Sequence, residues 1–334
     1  MNKIRKIIPG FIVCLFIAMI GKVIAIYIPS LGAATFAILI GIILGNTIFN
    51  KDIFNEGSKF SERELLAYSI VLMGATLNLS DVASVGVNGI LFIILQMVVT
   101  IIATFLIGRK LGFNRKFSLL MSAGNGVCGS SAIASVSDVL NPSQKDKGIS
   151  VTFVNITGTI MMFILPIITF FVFKDETIQS SALIGGTLQS VGQVIASGQF
   201  VNESVVQMAT IFKILRIILI VVVVISFSKI NSEEDGKIFA KNNHAKKIKV
   251  KIPWYIIGFF ILSIINSFSL IPENISSFAH LIGGQFEIIA LAAIGMRVKF
   301  KDLISEGPKG MLYGLLVGSS QIIFALIFIK LLLG

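Results

Sequence analysis

Long apolar runs recur from one end of the chain to the other, and this pattern restricts the fold more than any other feature. Only 13% of the 334 residues are charged and 55% are hydrophobic, whereas a soluble domain carries roughly 25% charged residues. A helix needs roughly 20 apolar residues to cross about 30 Å of hydrocarbon. The sequence therefore predicts an all-α polytopic membrane protein, with residues 1–334 forming a single transmembrane domain.

The apolar runs predict about eleven transmembrane helices. They lie near residues 9–28, 32–50, 64–80, 84–108, 117–140, 149–173, 181–200, 204–228, 252–271, 284–298 and 309–333. We expect residues 1–31 to form a peripheral first helix, with 32–173 as the first half of the domain and 174–334 as the second. The polar stretch 229–251 is predicted to be a cytoplasmic loop.

The distribution of lysine and arginine predicts the orientation of the chain, because these residues are enriched in cytoplasmic loops. Alternate loops carry most of them: Lys51, Lys59, Arg63, Arg109, Lys110, Arg115, Lys116, Lys174, Arg297, Lys299, Lys301, Lys309 and those of 229–251. We therefore expect a multi-pass protein of the inner (plasma) membrane, with the amino terminus cytoplasmic and the carboxyl terminus extracytoplasmic. The same loops account for the net charge of +11, so no nucleic-acid partner is expected.

The sequence also resembles itself at a distance. A shift of 221 positions, from residue 74 to residue 295, aligns two sets of residues: Gly74, Asp81, Ser84, Gly86 and Gly89 with Gly295, Asp302, Ser305, Gly307 and Gly310. In the predicted topology the first copy runs outward and the second inward. The pattern therefore predicts inverted repeats, an architecture of secondary transporters whose binding site lies near the bilayer midplane.

The glycine-rich segment 122–131 is predicted to interrupt its helix near Gly126. Each glycine costs about 1 kcal/mol relative to alanine in a helix, and unwound backbone at membrane depth survives only where protein or a water-filled cavity satisfies it. A half-helix that begins there would direct its amides and positive dipole end at an anion. The candidate substrate-binding residues of this segment are Asn125, Gly126, Cys128, Gly129 and Ser130.

A second segment, 185–193, is predicted to break near Gly186. Its candidate substrate-binding residues are Gln189, Ser190 and Gln193. The two glutamines are four residues apart, so we expect them to share one helix face. Close helix packing through small residues is the alternative for both segments. Packing explains glycine and serine but not the amides, and we therefore favour a substrate site with two discontinuous helices.

Two cations, Lys213 and Arg216, lie near the middle of a predicted span. Intramembrane cations are costly and indicate function, although lysine can also extend toward an interface. We assign Arg216 as an anion clamp and Lys213 as the titrating group of a proton-coupled carrier, with Glu287 and Asp138 as candidate coupling groups or counter-ions. If carboxylates alone balanced the pair, methionine at both positions would leave folding intact or improve it.

These motifs resemble the proposed sulfate exporter family of YeiH-like bacterial inner-membrane proteins. The resemblance extends over nearly the whole chain and is carried by segments 123–134 and 185–198, by Lys213 and Arg216, and by Gly295 and Asp302. It implies a relation to the cation:proton antiporter and anion transporter superfamily, with discontinuous helices crossing at the midplane and a core domain moving against a panel domain. The paired aspartates of sodium/proton antiporters are missing, which argues against sodium exchange.

The sequence therefore predicts a secondary transporter that exports or exchanges a small anion such as sulfate, a sulfonate or a carboxylate. An anion channel is one alternative, but Gln96, Asn155 and Gln321 are scattered in the sequence. A membrane protein without transport activity is the other. An intramembrane enzyme is not expected, because no histidine lies within a predicted span to act as a base. The expected partners are the lipid bilayer and a small anionic substrate, with a homodimer left open and no cofactor or metal.

Overall fold

The computed structural model describes residues 3–27, 32–76, 83, 85–230, 253–298 and 307–334. These residues form helices joined by short turns, and the described ranges contain no β-strand. The predicted all-α polytopic fold is confirmed.

The helices follow one another closely along the chain. A 3-10 turn at Asp52–Phe54 and a π-helical segment at Ser61–Leu65 flank the third helix. The α-helices are α1 (Lys3–Tyr27), α2 (Gly32–Asn46), α3 (Asn55–Phe60), α4 (Leu66–Gly74), α5 (Gly86–Lys110), α6 (Arg115–Gly126), α7 (Ser130–Leu140), α8 (Gln144–Phe173), α9 (Thr177–Thr187), α10 (Val191–Gln199), α11 (Glu203–Ile218), α12 (Ile220–Ser228), α13 (Trp254–Ser267), α14 (Glu273–Arg297) and α15 (Gly307–Leu332).

Six segments of the described chain combine the length and the apolar composition needed to cross a membrane. They are Arg5–Tyr27, Gly86–Lys110, Lys145–Phe173, Glu203–Ser228, Glu273–Arg297 and Pro308–Leu332. Two shorter apolar helices, Ala33–Asn46 and Trp254–Ser267, accompany them. The chain is thus a multi-pass helical membrane protein, while the number of eleven spans stays a prediction.

One predicted boundary is clearly wrong. The span expected at 284–298 is part of a helix that begins at Glu273, directly after Pro272. Gly283 and Gly284 fall inside this helix and do not end it. A pair of glycines lowers helix propensity by about 2 kcal/mol, and the buried carboxyl-terminal half of α14 offsets that cost by packing.

The contacts divide the chain into two compact units. The first consists of Met1–Ser84 and Ile252–Leu303, and the second of Val85–Lys251 and Ile304–Gly334. Helices α1 to α4, α13 and α14 belong to the first unit, and α5 to α12 and α15 to the second. Each unit therefore combines two separate segments of the sequence. The division into the halves 32–173 and 174–334 stays a prediction.

In the first unit, glycines bring helices into main-chain contact. A Cβ on Gly41 of α2 would meet main-chain atoms of α14, including the Gly295 Cα at 3.1 Å, and a Cβ on Gly295 would meet the Gly41 Cα at 3.1 Å. A Cβ on Gly74 would likewise meet the main chain of Phe259 in α13. Gly74 and Gly295, aligned in the predicted repeat, thus both serve close helix packing. The repeat itself stays a prediction, because its polar turns lie outside the described residues, including Asp81, Ser84, Asp302 and Ser305.

In the second unit, α11 packs against the half-helices α9 and α10, and α8 packs against α6, α7, α9 and α10. The buried face of α11 includes Val205, Ala209 and Phe212, which are all fully buried. This apolar face holds α11 next to the interrupted helices. It thereby fixes the position of the two cations that α11 carries.

Candidate functional site

The first predicted interruption is confirmed. Helix α6 ends at Gly126 and α7 begins at Ser130, which leaves residues 127–129 as the break. Gly129 precedes α7 with a φ of 68°, a value that L side chains rarely adopt, so glycine is the residue suited to this turn. The amide of Gly129 donates to the Gly124 carbonyl at 2.9 Å, which closes the end of α6.

The second predicted interruption is also confirmed. Helix α9 ends at Thr187 and α10 begins at Val191. Ser190 caps α10: its hydroxyl accepts from the Gln193 amide at 3.1 Å, and the Gln193 side chain accepts from the Ser190 amide at 3.1 Å. This reciprocal capping box marks a true helix start. Gln189 therefore lies in the break and not on the helix of Gln193, so the expected single helix face is wrong.

Lys213 extends from α11 into both breaks. Its Nζ donates to the Val127 carbonyl at 2.6 Å and to the Leu188 carbonyl at 2.7 Å. The side chain is fully buried. One ammonium group thus joins the two unwound segments.

Arg216, one turn further along α11 and also fully buried, binds the same two segments. Its guanidinium donates to four carbonyls: Nε to Gly126 at 2.7 Å, Nη1 to Gly186 at 2.8 Å and to Leu188 at 3.1 Å, and Nη2 to Asn125. Leu188 accepts from both cations, which confirms that Lys213 and Arg216 share one face of α11.

The carbonyls that receive these bonds lie at the carboxyl-terminal ends of α6 and α9 and in the breaks that follow. The carboxyl-terminal end of a helix carries roughly half a negative charge, so the two ends together offset about one of the two cationic charges. Among the described residues, neither Lys213 nor Arg216 forms an ion pair with a carboxylate. Main-chain dipoles take the place of a counter-ion.

Three side-chain amides form a network beside the cations. Gln189 Nε2 donates to Asn125 Oδ1 at 3.1 Å and to Gln321 Oε1 at 3.2 Å. Gln321 Nε2 donates to the carbonyls of Asn125 at 3.1 Å and Thr187 at 3.3 Å. Asn125 Nδ2 donates to the Met121 carbonyl at 3.0 Å. The network ties both interrupted helices to α15.

This network fixes the orientation of Gln189. Asn125 and Gln321 donate hydrogen bonds from their NH₂ groups to main-chain carbonyls, so each directs its amide oxygen toward Gln189. Gln189 can bond to these two oxygens only as a donor, through its own NH₂ group. The Gln189 Oε1 atom is then left without a partner although the residue is only 1% exposed. A buried acceptor of this kind is available to an O–H or N–H group of a ligand or to water.

Gly158 of α8 makes room for the glutamines. A Cβ at this position would lie 2.6 Å from Gln189 Oε1 and 2.5 Å from Gln193 Nε2. Gln193 Nε2 also donates to the Asn155 carbonyl at 3.3 Å. The close approach of both amides therefore depends on the missing side chain of Gly158.

The structure brings most of the predicted site residues together in the second unit. Cys128 is buried in the first break, and Ser130 is exposed at the start of α7. Of the two predicted counter-ions, Glu287 is a buried residue of α14 in the first unit. Asp138 lies in α7, and its side chain is outside the described part. Their coupling role stays a prediction.

Several residues of the site were missed or discounted from sequence. Gln96, Asn155 and Gln321 are scattered in the sequence, yet Gln321 joins the amide network and Gln96 Nε2 donates to the Gln321 carbonyl at 2.9 Å. A glutamine inside an apolar span is costly enough to have indicated a functional position. Gly158 carried no such signal, because its role depends on a neighbour that is distant in the sequence.

The geometry defines a multi-pass α-helical membrane protein in which two interrupted helices meet at buried cations. The chain belongs to the family described as Conserved hypothetical protein 698, whose profile matches residues 9–314. It is 55% identical over 334 residues to a UPF0324 membrane protein of Clostridium perfringens, covering 99% of this chain and 98% of that protein. It is 29% identical over 303 residues to the UPF0324 inner membrane protein YeiH of Escherichia coli K12, covering 89% and 85%. No solved structure matches the chain.

Proposed function

We propose that this protein is a secondary transporter of a small anion. The observation that carries the proposal is the charge balance where the two interrupted helices meet. When Lys213 and Arg216 are both protonated, they face two helix ends worth roughly half a negative charge each, which leaves about one positive charge in excess. Because a buried excess charge is unfavourable without a partner, an anion such as sulfate, a sulfonate or a carboxylate supplies it.

The anion is best accommodated at the starts of α7 and α10. These starts are adjacent, since a Cβ on Gly129 would lie 3.6 Å from the main-chain oxygen of Gln189. The first-turn amides of a helix have no partner within the helix ladder and favour an anion. At α10 the capping box already binds the amides of Ser190 and Gln193, so the anion would use the remaining first-turn amides. Arg216 then acts as a positioning residue that holds the two breaks, instead of the direct clamp expected from sequence.

Lys213 is the group we assign to proton coupling. Its two bonds to the Val127 and Leu188 carbonyls use two hydrogens, and both an ammonium and a neutral amine have at least two. Loss of one proton therefore leaves the hydrogen bonds in place while it removes the excess charge. Anion release and deprotonation would then be favourable together.

The wider assignment follows from the same features. Two interrupted helices that meet at buried charges are also the architecture implied by the superfamily of cation:proton antiporters and anion transporters. We propose that the chain lies in the inner (plasma) membrane, as the name of the YeiH relative states for that protein. A monomer and a homodimer both fit the site, since all its residues belong to one unit.

Counterflow in proteoliposomes tests the transport proposal. Purified protein is reconstituted in vesicles loaded with unlabelled sulfate, ethanesulfonate or acetate, and uptake of the same labelled anion is followed. A carrier gives saturable uptake that the internal anion accelerates. Unsaturable conductance would favour the anion channel, and the absence of any flux across the panel would support a membrane protein without transport activity.

Gly158→Ala should weaken anion binding at least tenfold. The new methyl group would displace the Gln189 and Gln193 amides, whose flexible ends can move without unfolding the helix. Binding is measured as anion-induced thermal stabilisation, which rises with ligand concentration relative to Kd. Gly148→Ala is the matched control in the same helix, because a Cβ there meets nothing within 4 Å. Equal anion binding by both variants would place the substrate elsewhere.

The proposed orientation predicts that a cysteine at position 242 is cytoplasmic. The native thiols of Cys14 and Cys128 are both buried, so labelling of an Asn242→Cys variant by a membrane-impermeant maleimide reports on the introduced thiol. We expect labelling in inverted vesicles and none in intact cells. Labelling in intact cells would mean that position 242 faces outward, and it would contradict the proposed topology.

A further inference from the structure

Three polar oxygens without partners lie in a row on α5. They are Gln96 Oε1, Thr100 Oγ1 and Thr104 Oγ1. The three residues are at most 1% exposed. A spacing of four residues keeps them on one face of the helix, roughly 6 Å apart.

Two other buried threonines, Thr187 and Thr210, do not behave in this way. The hydroxyls of Thr187 and Thr210 are buried as well, and each donates to the carbonyl four residues earlier at 2.6 Å. Bonding within the helix is the usual solution for a buried threonine. The row on α5 therefore requires a partner of another kind, because an orphaned buried polar group costs about 1 to 3 kcal/mol.

The row begins at the amide network and runs toward the end of α5. At the Gln96 end of the row, Gln96 Nε2 donates to the Gln321 carbonyl at 2.9 Å. At the Thr104 end, the Tyr313 hydroxyl donates to the Thr104 carbonyl at 2.8 Å. A Cβ on Gly108 would meet both the Tyr313 hydroxyl and Ser118 Oγ, so polar groups continue to the last turn of α5. Helix α5 ends at Lys110.

We propose that ordered water molecules fill this row and conduct protons between the amide network and the carboxyl-terminal end of α5. A hydrogen bond joins oxygens about 2.8 Å apart, so one water spans each interval of roughly 6 Å between successive side chains. Each water would find at least two polar partners, as buried waters require.

Proton movement along such a row balances without any co-reactant. A proton that binds the water beside Gln96 Oε1 forms an O–H bond there, and another O–H bond of that water breaks as its proton passes to Thr100 Oγ1. The same exchange continues through the next water to Thr104 Oγ1, which passes a proton on toward the carboxyl-terminal end of α5. Gln96 Oε1 only accepts a hydrogen bond, so it orients the first water and does not carry the proton. The role in transport rests on the proposed function, but the presence of water does not.

An experimental structure at about 2 Å resolution tests the water row directly. We expect density for a water within hydrogen-bonding distance of Gln96 Oε1 and Thr100 Oγ1, and for another between Thr100 Oγ1 and Thr104 Oγ1. A dry row, with both hydroxyls bonded to their own helix, would overturn the inference whatever the protein transports.

Proton flux tests the use of the row. In vesicles containing a pH-sensitive dye, an outward sulfate gradient should drive proton movement, and the double variant Thr100→Val, Thr104→Val should slow it at least tenfold. The matched control is Thr210→Val, which removes a buried hydroxyl that already has a partner. The double variant Thr100→Ser, Thr104→Ser should retain wild-type flux.

Unchanged proton movement in the double valine variant would overturn proton conduction along α5. If the double valine variant fails to fold, the two single valine variants are measured instead. Unchanged proton movement in both would likewise overturn proton conduction along α5. Wild-type protein that shows the waters in its structure, but moves no proton under a gradient of any anion in the counterflow panel, would contradict the proposed function and proton conduction along α5 and leave the water row in place.

Discussion

Arg216→Met is expected to lower the apparent melting temperature of the purified protein by about 10 °C. The substitution removes four hydrogen bonds to carbonyls at the two helix breaks. The Gly126 and Gly186 carbonyls would then lack a side-chain partner, whereas Asn125 keeps Gln321 and Leu188 keeps Lys213. With about 1 to 3 kcal/mol for each buried group left without a bond, the loss is about 4 kcal/mol.

The control for this prediction is Lys330→Met, which removes a cation from an exposed position near the end of α15 and should change stability by less than about 0.5 kcal/mol. Arg216→Lys should fall between wild type and Arg216→Met, because lysine keeps the charge but lacks the planar fork. A wild-type melting temperature for Arg216→Met would indicate that the carbonyls are satisfied in another way. A carboxylate lock, the alternative drawn from sequence, predicts unchanged or improved folding when methionine replaces both Lys213 and Arg216.

The same substitution at two glycines of α14 should have opposite effects. In Gly295→Ala the new Cβ would meet the main chain of α2, with Ile42 N at 3.0 Å and Gly41 Cα at 3.1 Å. Main-chain atoms cannot move aside as side chains do, so overpacking should destabilise the protein by about 1 to 3 kcal/mol. In Gly284→Ala the Cβ meets nothing within 4 Å, and alanine should stabilise the helix by up to about 1 kcal/mol.

Thermal melts of the two variants in the same detergent provide this comparison, with wild type between them. Destabilisation of both variants would mean that α14 tolerates no alanine for a reason other than contact with α2. Stabilisation of both would show that α2 and α14 are farther apart than the structure has them.

Much of the fold follows from local properties of the sequence. The apolar runs are long enough to identify membrane helices, and clustered glycines identify the breaks near Gly126 and Gly186 because helix propensity is a local quantity. The limits of that reasoning are visible at Gly283 and Gly284, where packing along α14 outweighs propensity. Which helices belong to each of the two units was not predicted, because this depends on contacts between distant segments.

The candidate site, like the fold, could be predicted only in part from the sequence. Lys213 and Arg216 were identified because a buried charge is costly wherever it lies, but their partners were not. Every residue has a carbonyl acceptor, so no side-chain pattern identifies the Gly126 and Leu188 carbonyls as the ones that accept hydrogen bonds from the cations. Gln189 was predicted to bind substrate, yet its orientation follows only from bonds to residues more than 60 positions away.

The shared Leu188 carbonyl has a mechanical consequence. Lys213 and Arg216 are anchored in one helix and hold both breaks, so α6, α9 and α11 cannot shift against one another without breaking several buried bonds at once. The proposed transport cycle would carry these three elements as a single rigid body. The geometry presented to a substrate would then be the same when it is loaded and when it is delivered, and affinity would change through access and protonation instead of through rearrangement of the contacts.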